Sequence, residues 1–166
     1  MKDNNHPPPP EDTLPEIVIP KEKAVFWMDE QGRWHNRHGR FEHKRIIDHF
    51  NRSIRWDRDG YYVTQERSGI CEKVYFAYSG TPLFVIRVIF TPPMRLALNT
   101  GETLLLDPEQ LFTHADQLYQ RRGDECIRFT DRALLAVSAY IVETPTGLSI
   151  CLNDREFPIP ERNDLS

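Results

Sequence analysis

Cysteine is scarce in this sequence, and the cysteines present are poorly placed for the roles that cysteine usually has. Cys71, Cys126 and Cys151 lie far apart, and none of them belongs to a C-x-x-C pair. A disulfide framework or a thiolate zinc site is therefore not expected. Because no signal-peptide pattern is present either, we expect a reducing, cytoplasmic environment.

Long hydrophobic runs are missing as well. The stretch LFVIRVIF, residues 83–90, is interrupted by Arg87 and falls well short of the roughly 20 apolar residues that a membrane-spanning helix needs. Hydrophobic residues still make up 39% of the 166 residues, which is enough to fill the core of one domain or of two small ones. We expect a soluble protein without a membrane partner.

Signature motifs of common enzymes are also absent. The eight glycines are scattered and form neither a Walker loop nor a G-x-G-x-x-G turn, and no G-x-S-x-G elbow occurs. Cys71 lies in a predicted strand near Lys73, but a buried structural thiol is the more ordinary interpretation. The sequence therefore predicts no catalytic residue and no cofactor, and it favours a non-catalytic role.

Histidine is clustered in the stretch GRWHNRHGRFEHKRIIDHF, residues 32–50. His35 and His38 face opposite sides of an extended segment. His43 and His49 are six residues apart on a predicted helix, about 240° around its axis, so they cannot easily share an ion. No metal site is predicted, and these histidines are interpreted as surface or capping residues.

Positive charge is concentrated in one part of an acidic protein. Between residues 31 and 58, eight arginines and lysines stand against three carboxylates, a net charge of +5, while the whole chain carries −4. The acidic remainder would oppose the wide field of a nucleic-acid duplex. We therefore expect a compact anionic ligand and no double-stranded nucleic acid as partner.

Proline is concentrated at the start of the chain. Six of the thirteen prolines lie within the first 20 residues, so residues 1–23 are predicted as a largely extended arm. Within it, EIVI at residues 16–19 is expected to dock as an edge strand. The run at residues 7–10 can also be a ligand for a proline-binding domain, although a plain tail is the commoner role.

The rest of the chain alternates strands with two helices. A hairpin is predicted at residues 24–36, an amphipathic helix within residues 40–54, and a hairpin turn at Asp59-Gly60. Strands follow, and Asp107 is predicted to cap a short helix that starts with Pro108. The alternation predicts an α+β fold in which each helix covers an antiparallel sheet.

The order of elements returns near the end of the chain. Aligning Arg40-Phe41 with Arg128-Phe129 matches the two predicted helices and, after one deleted residue, Gly60 with Gly147. Amphipathic helices resemble one another, so chance can produce the helix register alone. The shared Arg-Phe entry and glycine turn favour duplication. We expect two related units, residues 24–92 and 93–160, followed by a flexible tail at residues 161–166.

Four short motifs, none of them a catalytic signature, occur between about residues 24 and 159: GRWH (32–35), DGYY (59–62), EKV (72–74) and LNTGE (98–102). In these motifs and in the order of its elements, the chain resembles the bacterial domain-of-unknown-function 1285 family. The resemblance implies a duplicated core, a C-terminal half superficially similar to pleckstrin-homology folds, and a groove between the halves for a nucleotide-like ligand in signalling. The acidic segment that usually follows EKV in the family is missing here.

The basic stretch offers a first candidate site for such a ligand. Arg33, Arg37 and Arg40 precede the predicted helix, where guanidinium forks and free backbone N-H groups both favour phosphate. Trp34 offers a ring for stacking on a base, and His35 lies beside it. The alternative is that these arginines are solvated and that Trp34 is part of the core.

A second group of residues is suggested by the family resemblance. Lys73 can reach a phosphate, and Asn99 with Thr100 can contact a base or a ribose from the LNTG turn. The alternative is a cross-strand charge and an Asx-type turn. Together the two groups predict a binding protein that captures a small anionic, nucleotide-like ligand near the junction of its halves. A protein-protein adaptor and, less favoured, a phosphate-ester hydrolase remain as alternatives.

Overall fold

The structure, a computed structural model, describes residues 14–165. These residues form sixteen strands in four sheets together with two α-helices. The predicted α+β class is confirmed. The prolines at residues 7–10 lie outside the described residues.

The first sheet has four strands in the order β1-β7-β6-β5. The three antiparallel strands form a meander, and β1 joins β7 in parallel at the edge. The prediction that EIVI docks as an edge strand is therefore confirmed. The strands are β1 (Glu16–Ile19), β5 (Ile54–Asp57), β6 (Gly60–Arg67) and β7 (Ile70–Tyr75).

A small antiparallel sheet and the first helix lie between β1 and β5 in the sequence. The sheet consists of β2 (Phe26–Met28), β3 (Trp34–Asn36) and β4 (Gly39–Arg40). Helix α1 (Lys44–Ser53) follows and runs directly into β5, with Ile54 as its C-terminal cap. The predicted hairpin and helix are both present, and the apolar side of α1 packs over the first sheet.

The largest sheet has six strands in the order β10-β9-β8-β13-β12-β11. All neighbours are antiparallel except β8 and β13, which pair in parallel through Phe84 and Arg128. Its strands are β8 (Phe84–Ile89), β9 (Arg95–Leu98), β10 (Thr103–Leu105), β11 (Leu111–His114), β12 (Gln117–Arg122) and β13 (Glu125–Phe129). The expected boundary at residues 92 and 93 falls between β8 and β9, so the two halves share this sheet.

The chain ends with the second helix and a three-stranded antiparallel sheet. These elements are α2 (Asp131–Val137), β14 (Ile141–Thr144), β15 (Gly147–Leu152) and β16 (Arg155–Ile159). A similar order occurs twice, because antiparallel strands lead into each helix and a three-stranded meander follows it. This order supports the predicted duplication, whereas the pleckstrin-homology likeness of the second half stays a prediction.

Two further predictions concern the start of a short helix and the end of the chain. Pro108–Gln110 forms a 3₁₀ helix, and the Asp107 carboxylate accepts a hydrogen bond from the Glu109 backbone N-H at 3.1 Å, as predicted. Within the expected tail, Glu161 and Arg162 lie beside β11. The Arg162 backbone N-H donates to the Thr113 carbonyl at 2.8 Å, and Leu165 packs on the cluster around Phe112.

Most of the buried side chains belong to one core that both halves share. Gly32, at the turn between β2 and β3, lies against the ring of Phe84 in the six-stranded sheet. The guanidinium of Arg128 donates to the carbonyl of Glu30 in the same turn at 2.6 Å. These contacts fix the first hairpin to the six-stranded sheet.

Candidate functional site

A cleft of about 540 Å³ opens where the two halves meet, and we call it the junction pocket. Its volume lies within the range of about 300–1,000 Å³ that is typical of small-molecule sites. The end of α1 and strands β5 and β6 form one wall, and the β9-β10 turn with β12 and β13 forms the other. The lining residues are Arg52, Ile54, Arg55, Trp56, Tyr61, Leu83, Thr100, Glu102, Arg122 and Glu125.

Two arginines give the junction pocket positive charge without an internal counter-ion. Arg52 lies in the last turn of α1, and its guanidinium has no hydrogen bond or ion pair within residues 14–165. The guanidinium of Arg55 donates to the carbonyls of Arg52 and Ile54 at 2.7 and 2.8 Å, and no carboxylate of the described chain pairs with it. Both charges are therefore available to an anion.

Trp56 supplies a large apolar surface next to these arginines. It lies in β5 opposite Tyr61, and 45% of its surface is exposed. An indole ring that remains open to solvent at the edge of a polar cleft can stack on a flat ring of a ligand.

A chain of polar contacts forms the opposite wall. Arg122 binds Glu125 at 2.8 Å and Glu102 at 3.3 Å, while Thr100 donates to Glu102 at 3.2 Å. The hydroxyl of Tyr61 donates to Glu125 at 3.3 Å and thereby links the two walls. Burial and the nearby Glu125 charge raise the pKa of Tyr61, so it stays a neutral hydrogen-bond donor.

Arg122 is already neutralised, in contrast to the two arginines of the first wall. Burial alone would lower the pKa of Arg122, but the negative charges of Glu125 and Glu102 outweigh burial and raise it. With three arginines and two carboxylates among its lining residues, the junction pocket carries a net charge of +1, concentrated at Arg52 and Arg55.

The structure places Arg33 and His35 outside the junction pocket. Both side chains bind the carboxylate of Asp29, with Arg33 Nε and His35 Nε2 each 2.8 Å from Oδ2. Burial would raise the pKa of Asp29, but hydrogen bonds from Arg33, His35 and Gln31 outweigh burial and hold it at about 2. These residues therefore stabilise the turn of the first hairpin.

Trp34 lies in the core, as the alternative interpretation of this residue held. Only 1% of its surface is exposed, and its ring packs against Phe26, Phe50 and Phe76. Its indole N-H donates to the side-chain oxygen of Asn51 at 2.8 Å. A base cannot stack on this ring without unfolding the hairpin.

Arg37 and Arg40 are exposed and lie on a different surface. Arg37 contacts the ring of His38 at 3.0 Å, and Arg40 makes no side-chain hydrogen bond or ion pair in the described part of the chain. Arg37 lines a separate, mostly apolar cleft of about 490 Å³. We call this cleft the aromatic groove, and it is lined by Val25, Phe26, Asn36, Arg37, His38, Phe41, Phe50 and Gln65.

Lys73 forms an ion pair on the outer face of the first sheet. Its ammonium lies 2.5 Å from Asp57 Oδ2 and 4.3 Å from the centre of the Tyr62 ring. The hydrogen bond from Lys73, helped by one from Tyr75, lowers the pKa of Asp57 to about 2, and Asp57 in turn raises the pKa of Lys73. The cross-strand charge that we considered as the alternative is the arrangement observed.

The two predicted residues in the turn after β9, Asn99 and Thr100, lie in different settings. The Asn99 amide accepts from the Phe84 backbone N-H at 3.0 Å and donates to the Pro82 carbonyl at 2.9 Å, so it joins β8 to β9. Thr100 alone among the eight predicted residues lines the junction pocket.

Apart from Thr100, the residues that line the junction pocket were not predicted from the sequence. Arg52 and Arg55 were counted in the basic segment, but Trp56 and Arg122 carried no motif. The one usable signal was that Arg52 and Arg55 are close in sequence to Trp56. The partner residues on the second wall come from β9, β12 and β13, and only the fold brings them close.

Two further observations limit the chemistry of the described residues. Within residues 14–165, no group of three or more histidine, cysteine, aspartate or glutamate side chains is arranged to hold a metal ion. No helix in this part of the chain is long and apolar enough to cross a bilayer.

The fold and the junction pocket define an α+β protein with a basic cleft between its two halves. The chain shares this fold with two solved DUF1285 family proteins. The protein from Silicibacter pomeroyi DSS-3 has a TM-score of 0.59 and 10% identity, over 89% of this chain and 83% of that chain. The protein from Shewanella baltica OS155 has a TM-score of 0.52 and 13% identity, over 72% of this chain and 94% of that chain.

The comparisons confirm the resemblance found in the sequence at the level of the fold, which is DUF1285-like. No family model matches the chain, and no curated protein matches it.

Proposed function

We propose that this protein binds a small anionic, nucleotide-like ligand in the junction pocket and acts in signal transduction without catalysing a reaction. The observation that carries the proposal is the pair of arginines without carboxylate partners, Arg52 and Arg55, beside the exposed ring of Trp56. The proposed site lies between the halves, where the sequence-based site was also expected, but it consists mostly of other residues.

The charges support a phosphate group as part of the ligand. A hydrogen bond between an arginine and a phosphate oxygen contributes about 1.5–3 kcal/mol when it is partly shielded from water. Arg52 and Arg55 together therefore supply enough for micromolar affinity once a flat group adds its own contacts. The described contacts reveal no benefit for folding from leaving these two arginines without counter-ions.

The other lining residues support a base or a comparable flat ring. Stacking of a base on an aromatic side chain contributes about 1–3 kcal/mol. Thr100 and Glu102 present a hydroxyl and a carboxylate across the cleft from Trp56, and such groups fix the orientation of a ring that carries N-H donors.

Both halves line the junction pocket, and this supports a signalling role. A ligand that contacts both walls binds best to one relative packing of the halves and therefore shifts the population toward that packing. The proposal places this role in the cytoplasm. The free thiols of Cys71, Cys126 and Cys151 are consistent with a reducing compartment.

The proposal is tested with a panel of nucleoside mono-, di- and triphosphates, dinucleotides and inorganic phosphate, using thermal shift first and calorimetry on any hit. We expect at least one nucleotide to bind and to raise the melting temperature. Arg52→Gln and Trp56→Ala should each weaken it by about 10-fold or more. The matched control is Arg58→Ala, because Arg58 lies at the neighbouring hairpin turn and its side chain is 93% exposed.

Binding that is unchanged by Arg52→Gln and Trp56→Ala would contradict the proposed site. A panel without any hit, together with a stable protein partner in a pull-down, would favour the adaptor alternative. Release of phosphate from a generic ester would favour the hydrolase.

A further inference from the structure

The aromatic groove is separate from the junction pocket, and rings form its floor. Phe50 packs edge-on against Phe26 and Phe41, with ring centres 4.9 and 5.1 Å apart. Phe41 and Phe50 are only partly buried, and Val25 at the rim is 74% exposed. With a volume of about 490 Å³, the groove falls within the range of small-molecule sites, which are mostly apolar and contain a few polar groups.

Most of the polar side chains that line the groove come from one tight turn. Strands β3 and β4 are joined by two residues, Arg37 and His38, and Asn36 pairs with Gly39 across the turn. Asn36, Arg37 and His38 all line the groove. A two-residue connection leaves the backbone little freedom, so the turn needs little ordering when a ligand binds.

Arg37 has two nitrogens that remain available for an anion. Its Nε-H donates to Nε2 of His38 at 3.0 Å, and the two terminal nitrogens, Nη1 and Nη2, have no partner in the described residues. These two atoms form a planar fork that matches the two oxygens of a carboxylate. No aspartate or glutamate is among the described residues that line the groove, so none of them competes for the fork.

Asn36 and His38 add neutral donors to this positive charge. The side-chain oxygen of Asn36 accepts a hydrogen bond from the His38 backbone N-H at 2.9 Å. Because an N-H group requires an acceptor, the amide nitrogen of Asn36 is the atom that stays unpaired in the described part of the chain. His38 accepts through Nε2 and therefore carries its proton on Nδ1. The free side-chain atoms of the turn are thus all donors.

These side chains select the charge and the size of the ligand. Donors beside a single cation suit an acceptor group with one negative charge. Placing such a group next to apolar rings costs less for a monoanion than for a phosphate with two charges. The rings favour an apolar body next to the charged end. An organic carboxylate has both parts, whether its body is an aliphatic chain of medium length or an aromatic ring.

We propose that the aromatic groove binds a small organic carboxylate. The terminal nitrogens of Arg37 and the amide nitrogen of Asn36 hold the carboxylate, and the apolar body lies against the rings of Phe41 and Phe50. This site is independent of the nucleotide-like ligand proposed for the junction pocket, because the two clefts share no lining residue.

The test uses the full-length protein and two acids, octanoate and phenylbutyrate, in calorimetric titrations. Each acid is compared with the alcohol and the amine that have the same carbon skeleton, so that only the polar end differs. A charge-assisted pair of hydrogen bonds that is partly shielded from water changes affinity by about 10-fold or more. We therefore expect at least one acid to bind about 10-fold more tightly than its alcohol, and its amine to bind more weakly still.

Changes to single arginines locate the carboxylate. Arg37→Gln should weaken binding of the acid by about 10-fold and leave binding of the alcohol nearly unchanged. Arg40→Gln is the matched control, since Arg40 is exposed on the neighbouring strand and does not line the groove. Arg52→Gln is a second control, because Arg52 lines the junction pocket. Neither control should change the affinity for the acid.

A change at the rim provides a test that does not depend on Arg37. Val25→Asp places a negative charge at an exposed position, where folding is not at risk. The added charge repels a carboxylate and attracts an ammonium group. Val25→Asp should therefore weaken binding of the acid and strengthen binding of the amine.

Four outcomes would overturn the proposal. The first is that neither acid binds at millimolar concentration. The second is equal affinity for acid and alcohol, or equal affinity of the wild type and Arg37→Gln for the acid. The third is loss of binding in Arg52→Gln, which would place the acid in the junction pocket. The fourth is a concentration-dependent dimer that Val25→Asp abolishes, which would make a second copy of the chain the occupant.

Discussion

At the residue scale, Gly32 controls the contact between the first hairpin and the six-stranded sheet. Its φ angle is +76°, and a Cβ atom built on it would lie 2.7 Å from the ring of Phe84. Glycine is therefore required here twice, once for the left-handed backbone and once for the space. Gly69 has nearly the same φ angle, +75°, but no atom lies within 4 Å of a Cβ built there.

Replacing each of these glycines by alanine should lower the free energy of unfolding by a different amount. Gly69→Ala should lower the free energy of unfolding by about 1–2 kcal/mol, the cost of the left-handed conformation alone. Gly32→Ala should cost about 1–3 kcal/mol more, because Phe84 must also move. Urea unfolding of both variants gives the difference directly. Equal costs would mean that the contact with Phe84 relaxes freely.

Asp57 provides a prediction on pH dependence. Its pKa is about 2 in the folded protein against an ordinary value of 3.8, so the unfolded state binds more protons between these values. The stability that the contact with Lys73 contributes is thus complete above pH 4 to 5 and is lost as the pH falls through 3.8 toward 2.

The stability difference between wild type and Asp57→Asn should therefore be largest near neutral pH and shrink toward pH 2, as measured by urea unfolding at several pH values. Asp59→Asn removes an exposed carboxylate from the same turn and should keep the wild-type pH dependence. A difference for Asp57→Asn that is constant with pH would contradict the assigned ion pair.

At the element scale, the two helices start differently although they occupy equivalent places in the two halves. Helix α2 is capped by Thr130, whose hydroxyl accepts from the Ala133 backbone N-H at 3.3 Å and donates to the Val85 carbonyl at 2.9 Å. Helix α1 starts after His43, which makes no side-chain cap. Of the two described α-helices, only α2 therefore has a side-chain cap at its start.

Thr130 should accordingly be more important for stability than an ordinary exposed threonine. Thr130→Ala removes both a helix cap and a bond to β8 and should lower the free energy of unfolding by about 1–3 kcal/mol. Thr130→Ser keeps the hydroxyl and should cost less than half as much. A Ser variant as unstable as the Ala variant would show that the methyl group matters and that the cap does not.

Local chemistry explains which elements could be predicted from the sequence. The EIVI strand, the Asp107 cap and the helix over residues 44–53 follow from signals contained in a few neighbouring residues. The course of the last residues along β11 could not be predicted, because it depends on the cluster around Phe112, which forms only after folding.

The same distinction applies to the candidate site. A run of arginines around a tryptophan predicts an anion site. In the structure, however, Asp29 pairs with Arg33, and Trp34 is buried in the core. The spacing of Arg33 and Asp29 does not indicate that their side chains meet across a turn. Anion binding at the junction therefore stays a prediction, and the sequence did not single out Arg52, Arg55 and Trp56, which line the junction pocket.

At the scale of the whole molecule, a single sheet joins the halves. Strand β8 belongs to the first half by sequence, but its neighbours β9 and β13 belong to the second. The junction pocket consequently has one wall on each half, and these walls are held together by shared hydrogen bonds and a shared core. Motion between them should be small, so a ligand of the kind that we propose would shift a packing equilibrium rather than close a hinge.

The parallel pairing of β8 with β13 also orders events during synthesis of the chain. On the ribosome, β8 emerges well before β13, and only hairpin partners close by in the sequence can pair early. The centre of the sheet is therefore expected to assemble late, after the β12-β13 hairpin has left the ribosome. Until then one edge of β8 remains open to other nascent chains.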